Sequence, residues 1–138
     1  MGIIGRLHRL GDRLRAEVLT TYGHYGLSEG EFDVLAALRR QGAPYELAPG
    51  ELARHTMVTT GAITKRLDRL EESGLVIRRE NDADGRGRFV SLTDAGLRVI
   101  DAAFTEHMRN EARVVSALDP GERAQLERLL ASWLQKLE

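Results

Sequence analysis

Thr59, Thr60, Thr64 and Lys65, near the middle of this chain, have the types and spacing to grip and read a polyanion. Thr59 precedes a run with Ile63, Leu67 and Leu70 at helical spacing, which makes it an N-cap. Thr59 and Thr60 then set hydroxyls beside helix-start amides that lack intrahelical acceptors, and such an end holds phosphate through its N–H groups and its dipole. Gly61 lets a backbone come close. One turn on, Lys65 can donate to guanine acceptors and the Thr64 methyl can pack on thymine. Arg54 and Arg69 are placed to reach phosphates. A second arrangement is Asp84-Gly85-Arg86-Gly87. Arg86, between two glycines, projects without competing side chains toward the negative potential of a narrow minor groove, and Asp84 can hold its guanidinium by charge-assisted hydrogen bonds. The plainer alternatives are a helix cap for the threonines and a solvated, charged turn for the tip.

Other chemistries find less support. There is no phosphate loop, no dinucleotide glycine pattern and no strand-nested nucleophile, and the carboxylates fall mainly on exposed helix faces, so the chain reads as not an enzyme. The absence of cysteine excludes disulfides and thiolate metal sites. His8 with Asp12 and His107 with Glu111 stand four apart, and His24 and His55 add donors, so a metal-sensing regulator is one alternative. Four scattered histidines are more often solvated, and no metal and no cofactor is assigned. A net charge of -1 argues against a polyanion partner, but the charge is uneven. Residues 53–93 carry eight Lys/Arg against six Asp/Glu, and both flanking segments are net acidic. The N-terminus is charged too early for a signal peptide and no apolar run reaches membrane-spanning length, so a cytoplasmic protein with no membrane partner is expected.

The elements that must position these residues are mainly helices. Ile3, Leu7, Leu10, Leu14, Val18 and Tyr22 recur at steps of three or four and predict a long amphipathic helix. Ser28 and Glu31 form a capping box for a second helix, running to about Arg40. Pro49 opens a short third helix whose cap position holds only Ala48, and Thr59 opens a fourth that Gly74 stops. Val76-Ile77-Arg78-Arg79 and Arg88-Phe89-Val90-Ser91-Leu92 are β-prone runs forming a two-stranded hairpin, with Arg88 beside its basic tip. Thr93 caps a long helix to about Leu118, and Asp119-Pro120 with Glu122 opens the last. Short helix, turn, longer helix and hairpin is the order of a winged helix-turn-helix, whose second helix enters the major groove.

At these residues the chain resembles the multiple-antibiotic-resistance regulator (MarR) family. The resemblance is carried in order by Leu52-Ala53, Thr60-Gly61-Ala62-Ile63-Thr64, Arg66-Leu67-Asp68-Arg69-Leu70-Glu71, Gly74-Leu75-Val76, Arg78-Arg79, Asp84, Arg86, Val90-Ser91-Leu92-Thr93 and Gly96. It implies a homodimer in which the first and the last two helices of each subunit interlock, a palindromic operator, Arg86 in the minor groove and Asp84 orienting it. It also implies a small-molecule effector between the dimer helices and the winged lobe. Tyr22, His24 and Tyr25 stand at the junction where such a ligand would lie, although aromatic residues at a helix end are usually core.

The expectation is thus one MarR-type domain over residues 1–138, mainly α with a β-hairpin wing. Residues 28–93 form the DNA-binding lobe, and 1–27 and 94–138 the dimerisation region. The function expected is a ligand-responsive repressor binding double-stranded DNA as a homodimer. A winged-helix protein-interaction module without DNA binding is the other alternative, which binding that ignores salt would favour.

Overall fold

The computed structural model describes residues 2–81 and 87–138, without the side chain of Asn81. Among the described residues six helices and three strands follow one another as α1 (Ile3–Gly23), α2 (Glu29–Arg40), β1 (Glu46–Leu47), α3 (Pro49–His55), α4 (Thr60–Glu72), β2 (Val76–Asn81), β3 (Gly87–Leu92), α5 (Asp94–Val115) and α6 (Pro120–Leu137). The expected punctuation is present. The Ser28 hydroxyl accepts from the Glu31 amide at 3.1 Å while the Glu31 carboxylate accepts from the Ser28 amide at 2.9 Å. Asp119 and Glu122 repeat the device at the start of α6, and α3 begins at Ala48 with no side-chain cap.

The structure adds a strand to the expected hairpin. Strands β2 and β3 pair antiparallel from Val76↔Leu92 to Asn81↔Gly87, and β1 pairs with the other edge of β3 through Glu46↔Ser91 and Leu47↔Val90. The sheet order is therefore β1-β3-β2. Two residues are too few to show alternation, so nothing local marked β1.

The chain forms two compact units, residues 1–107 and 108–138. In the first, Leu35, Leu38, Leu52, Ile63, Leu67, Leu70, Val76, Val90 and Ile100 are fully buried and gather α2 to α5 and the sheet on one core. The second holds the end of α5 and α6, and no residue of α6 is buried.

A tight corner joins α4, the sheet and α5. Gly74 takes φ +73°, a left-handed conformation suited to glycine, and ends α4. The Thr93 hydroxyl donates to the Gly74 carbonyl at 2.6 Å and accepts from the Gly96 amide at 3.0 Å, while the Thr93 amide donates to the Leu75 carbonyl at 3.0 Å. Gly96 is buried against Leu75, and a Cβ there would collide with the Leu75 carbonyl. Backbone cannot swing aside as a side chain can. Gly96→Ala is expected to destabilise the fold by about 1–3 kcal/mol, read as a lowered urea midpoint. Gly61→Ala, where a Cβ meets nothing nearer than the Thr59 hydroxyl at 3.9 Å, should leave the midpoint unchanged or raised.

The wing is tied to α4 by charge. The Arg78 guanidinium lies 2.8 Å from Asp68 and 2.9 Å from Glu71, and the Arg78 amide donates to the second Glu71 oxygen at 3.1 Å. These bonds hold the Glu71 carboxyl below its ordinary value of 4.5. In the second unit, hydrogen bonds from the Glu122 backbone hold Asp119 below 3.8. Both groups contribute stability that is present above their ordinary values and lost as pH falls through the depressed ones. Half-buried Asp33 acts oppositely, since burial and then Glu29 raise it above 3.8, and acid relieves that cost. Glu71→Gln should therefore shrink the loss of urea midpoint between about pH 6 and about pH 3.5 relative to the parent. An equal loss in both proteins would mean the tie does not shape acid stability.

Candidate nucleic-acid interface

The region that positions the candidate residues is α3, a turn, α4 and the strands behind them. Leu52 and Ala53 bury α3, and the turn is closed by the Val58 amide donating to the Ala53 carbonyl at 3.0 Å. Within it Met57 takes φ +55° and is 91% exposed. α4 buries Ile63, Leu67 and Leu70, which leaves Gly61, Lys65, Asp68 and Glu72 on the opposite, exposed side.

Thr59 is the N-cap. Its backbone is extended and its hydroxyl oxygen accepts from the Ala62 amide at 3.2 Å, while its carbonyl accepts from the Ile63 amide at 3.1 Å. The cap thus satisfies the Ala62 amide, and the Ile63 amide makes the first intrahelical bond. The amides of Thr60 and Gly61 have no acceptor among the described residues, and both residues are exposed. Thr59 is a cap, and the same end of α4 still offers two outward N–H groups. The Thr64 hydroxyl donates to the Thr60 carbonyl at 3.0 Å, which occupies its proton and leaves its methyl and lone pairs available.

The cations divide into engaged and available ones. Arg54, Lys65 and Arg69 are exposed and form no ion pair among the described residues. Arg88 is exposed, 3.6 Å from Glu80 on the neighbouring strand. Arg78 is taken by Asp68 and Glu71, and Arg79 reaches Glu46 at 3.3 Å and the Ser91 hydroxyl at 3.4 Å. Arg66 turns back onto α2, where its guanidinium fills the space above Gly30 so closely that a Cβ there would strike it, and its Nη1 is buried without a hydrogen-bond partner. The sequence did not distinguish these roles, because the partners lie far along the chain. Asp84 and Arg86 lie outside the described residues.

Between α4 and the wing lies a groove of about 540 Å³, with Thr60, Thr64 and Glu71 on the helix side and Arg78, Arg88 and Phe89 on the strand side. A separate cavity of about 430 Å³ lies between Ala36, Arg39 and Arg40 of α2 and Ile100, Asp101 and Phe104 of α5.

The three residues expected near an effector are not alike. Tyr22 is buried and stacks on Phe32 with ring centroids 4.1 Å apart, as a core residue does. His24 is exposed, its Nδ1 2.9 Å from Glu106, and Tyr25 is half-buried against the core. No group of three His, Asp or Glu side chains suited to a metal gathers among the described residues, and no described helix is long and apolar enough to cross a membrane.

This arrangement of helices and strands has counterparts among known proteins. Residues 25–87 match the model of the MarR family. The HTH-type transcriptional regulator PecS of Dickeya dadantii is 36% identical over 130 residues, covering 94% of this chain and 78% of PecS. The crystal structure of YusO from Bacillus subtilis superposes with a TM-score of 0.79 at 29% identity, over 96% of this chain and 92% of YusO. A MarR mutant from E. coli complexed with operator DNA gives a TM-score of 0.76 at 28% identity, over 95% and 93% of the two chains. With identity spread over nearly its whole length and the same arrangement of elements, the chain belongs to the MarR family.

Proposed function

We propose that the protein is a DNA-binding transcription regulator that acts as a homodimer, repressing by occupying a palindromic operator and releasing it when a small-molecule effector binds. The observation that carries DNA binding is the exposed start of α4. Two amides, Gly61 without a side chain and Lys65 lie exposed at this end of the helix, and no described residue pairs with them. A duplex would: the amides of Thr60 and Gly61 take a phosphate, Thr64 and Lys65 meet base edges, and Arg54, Arg69 and Arg88 flank the backbone. Arg86, oriented by Asp84, extends the contact into the minor groove. The likeness to a MarR protein in complex with operator DNA supports the same reading. Residues 28–93 are the DNA-binding lobe of a single MarR-type domain.

Residues 1–27 and 94–138 form the dimerisation region. Leu126, Leu129, Leu130, Trp133, Leu134 and Leu137 stand exposed on α6, as do Ile3, Leu10 and Leu14 on α1. Covering such side chains is worth about 1.5–3 kcal/mol each, so a second copy has ample driving force. Two-fold pairing then sets the two α4 helices about one DNA turn, ~34 Å, or a multiple apart. The effector acts through any difference in its affinity for the DNA-competent and incompetent forms. His24 and Tyr25, where α1 meets α2, are the residues we assign to its neighbourhood, with the core residue Tyr22 buried beside them.

The purified protein should enrich specific duplexes from a random pool. Thr59→Asp separates folding from binding, because Asp is an equal or better cap and suits the helix dipole but sets a carboxylate where phosphate would sit. It should keep or raise the melting temperature and weaken DNA binding at least about tenfold, whereas Thr59→Asn should change neither much. Full binding by Thr59→Asp would remove the phosphate from this helix end.

Pairing is readable through Trp133, the single tryptophan. Its emission should shift to the red on dilution through the dissociation range, and Leu130→Arg should sediment as a single subunit. A parent protein that stays monomeric at micromolar concentration would refute the dimer.

A further inference from the structure

The distal half of α4 presents a difficulty for the function proposed above, on which this inference rests. Past Lys65 the exposed side of the helix carries Asp68, Glu71 and Glu72, carboxylates on the element that is to approach a polyanion. Left uncompensated they would repel the phosphate backbone over distances shorter than the ~10 Å screening length at 0.1 M salt.

Two of the three are compensated by one side chain. Arg78 follows buried Val76 by two residues on β2, and alternation points it to the face of the strand turned toward α4. Its Nη2 sits 2.8 Å from Asp68 Oδ1 and 2.9 Å from Glu71 Oε1, and its amide takes the remaining Glu71 oxygen at 3.1 Å. All three side chains are surface groups, with Arg78 the least exposed at 34%. An exposed pair of this kind adds little to stability. Its geometry suits another role, because one delocalised cation engages both carboxylates on the side where a duplex would lie.

We propose that Arg78 is a positioning residue for DNA binding: by holding Asp68 and Glu71 it masks their charge, so that the distal half of α4 can settle against the phosphate backbone. Arg78 thus serves recognition without touching a base. Asp68 is also withdrawn from base reading, which confines direct contacts to Thr64 and Lys65.

The test measures binding of the 138-residue chain to a duplex that the parent selects from a random pool, by fluorescence anisotropy from about 50 to about 200 mM salt. Arg78→Met keeps the apolar stem and should weaken binding about tenfold at low salt, the deficit narrowing as salt rises. Removing the unmasked charges as well, in the Asp68→Asn, Glu71→Gln, Arg78→Met triple variant, should restore binding to within about threefold of the parent or better. The triple variant lacks the same ties to the wing, so its recovery distinguishes charge masking from mere support of the fold. Parent-like binding by Arg78→Met would overturn the proposal while leaving DNA binding intact. A triple variant as weak as Arg78→Met would also overturn it, and a salt slope lowered by about one in both would make Arg78 a direct phosphate contact instead. A parent that enriches no duplex would defeat the DNA-binding reading itself, and this one with it.

Discussion

The close approach of Gly96 to the Leu75 carbonyl is the constraint on which the arrangement of α4, the sheet and α5 depends. Three elements converge there: α4 ends at Gly74, the first strand of the wing begins two residues later, and α5 starts under the Thr93 cap. The Thr93 side chain bonds to both the Gly74 carbonyl just past α4 and the Gly96 amide in the first turn of α5, so this corner is held by hydrogen bonds to backbone. A site that must match a rigid double helix needs such over-determination, because a misplaced helix loses several contacts at once. The ion pairs of Arg78 act on a frame already fixed and have other work to do.

Charge is arranged with the same economy. The middle third holds a surplus of cations, yet Arg66 lies against Gly30, Arg78 serves Asp68 and Glu71, and Arg79 serves Glu46 and Ser91. Among the described residues of this stretch that leaves Arg54, ahead of α4, Lys65, near its start, and Arg69, in its last turn, without an ion pair. With several described cations of this stretch engaged within the fold, helix-end amides and shape carry a larger part of the proposed interaction than the raw count of Lys and Arg suggests.

Local chemistry explains why much of this was legible without coordinates. The caps at Ser28, Thr59, Thr93 and Asp119 are short-range hydrogen bonds between neighbours, and the stripe of Ile63, Leu67 and Leu70 states which side of α4 is buried. What the sequence concealed is long-range. β1 is two residues whose pairing with Ser91 and Val90 exists only once the chain has folded. The partners of Arg78 and Arg79 lie seven to thirty-three positions away, so neutralised and available arginines look identical in the sequence. Tyr22 shows the same limit: its type suits a ligand site or a core, and only its stacking on Phe32 reveals the burial.

The last helix bears on mechanism as much as on assembly. An eighteen-residue amphipathic helix with no buried residue gains little by itself from folding, since isolated helices of this length are marginal in water. A partner that covers Leu126, Leu130 and Trp133 would therefore help to form the helix as well as bind it. Pairing would also make the second lobe's contact intramolecular, which multiplies the affinity of a weakly charged half-site without any new contact, provided the separation matches the DNA. That proviso would give the proposed effector its leverage. A change in the spacing of the lobes would leave each half-site intact and still reduce the gain from engaging both, so the proposed regulation would need no change in the residues assigned to the DNA.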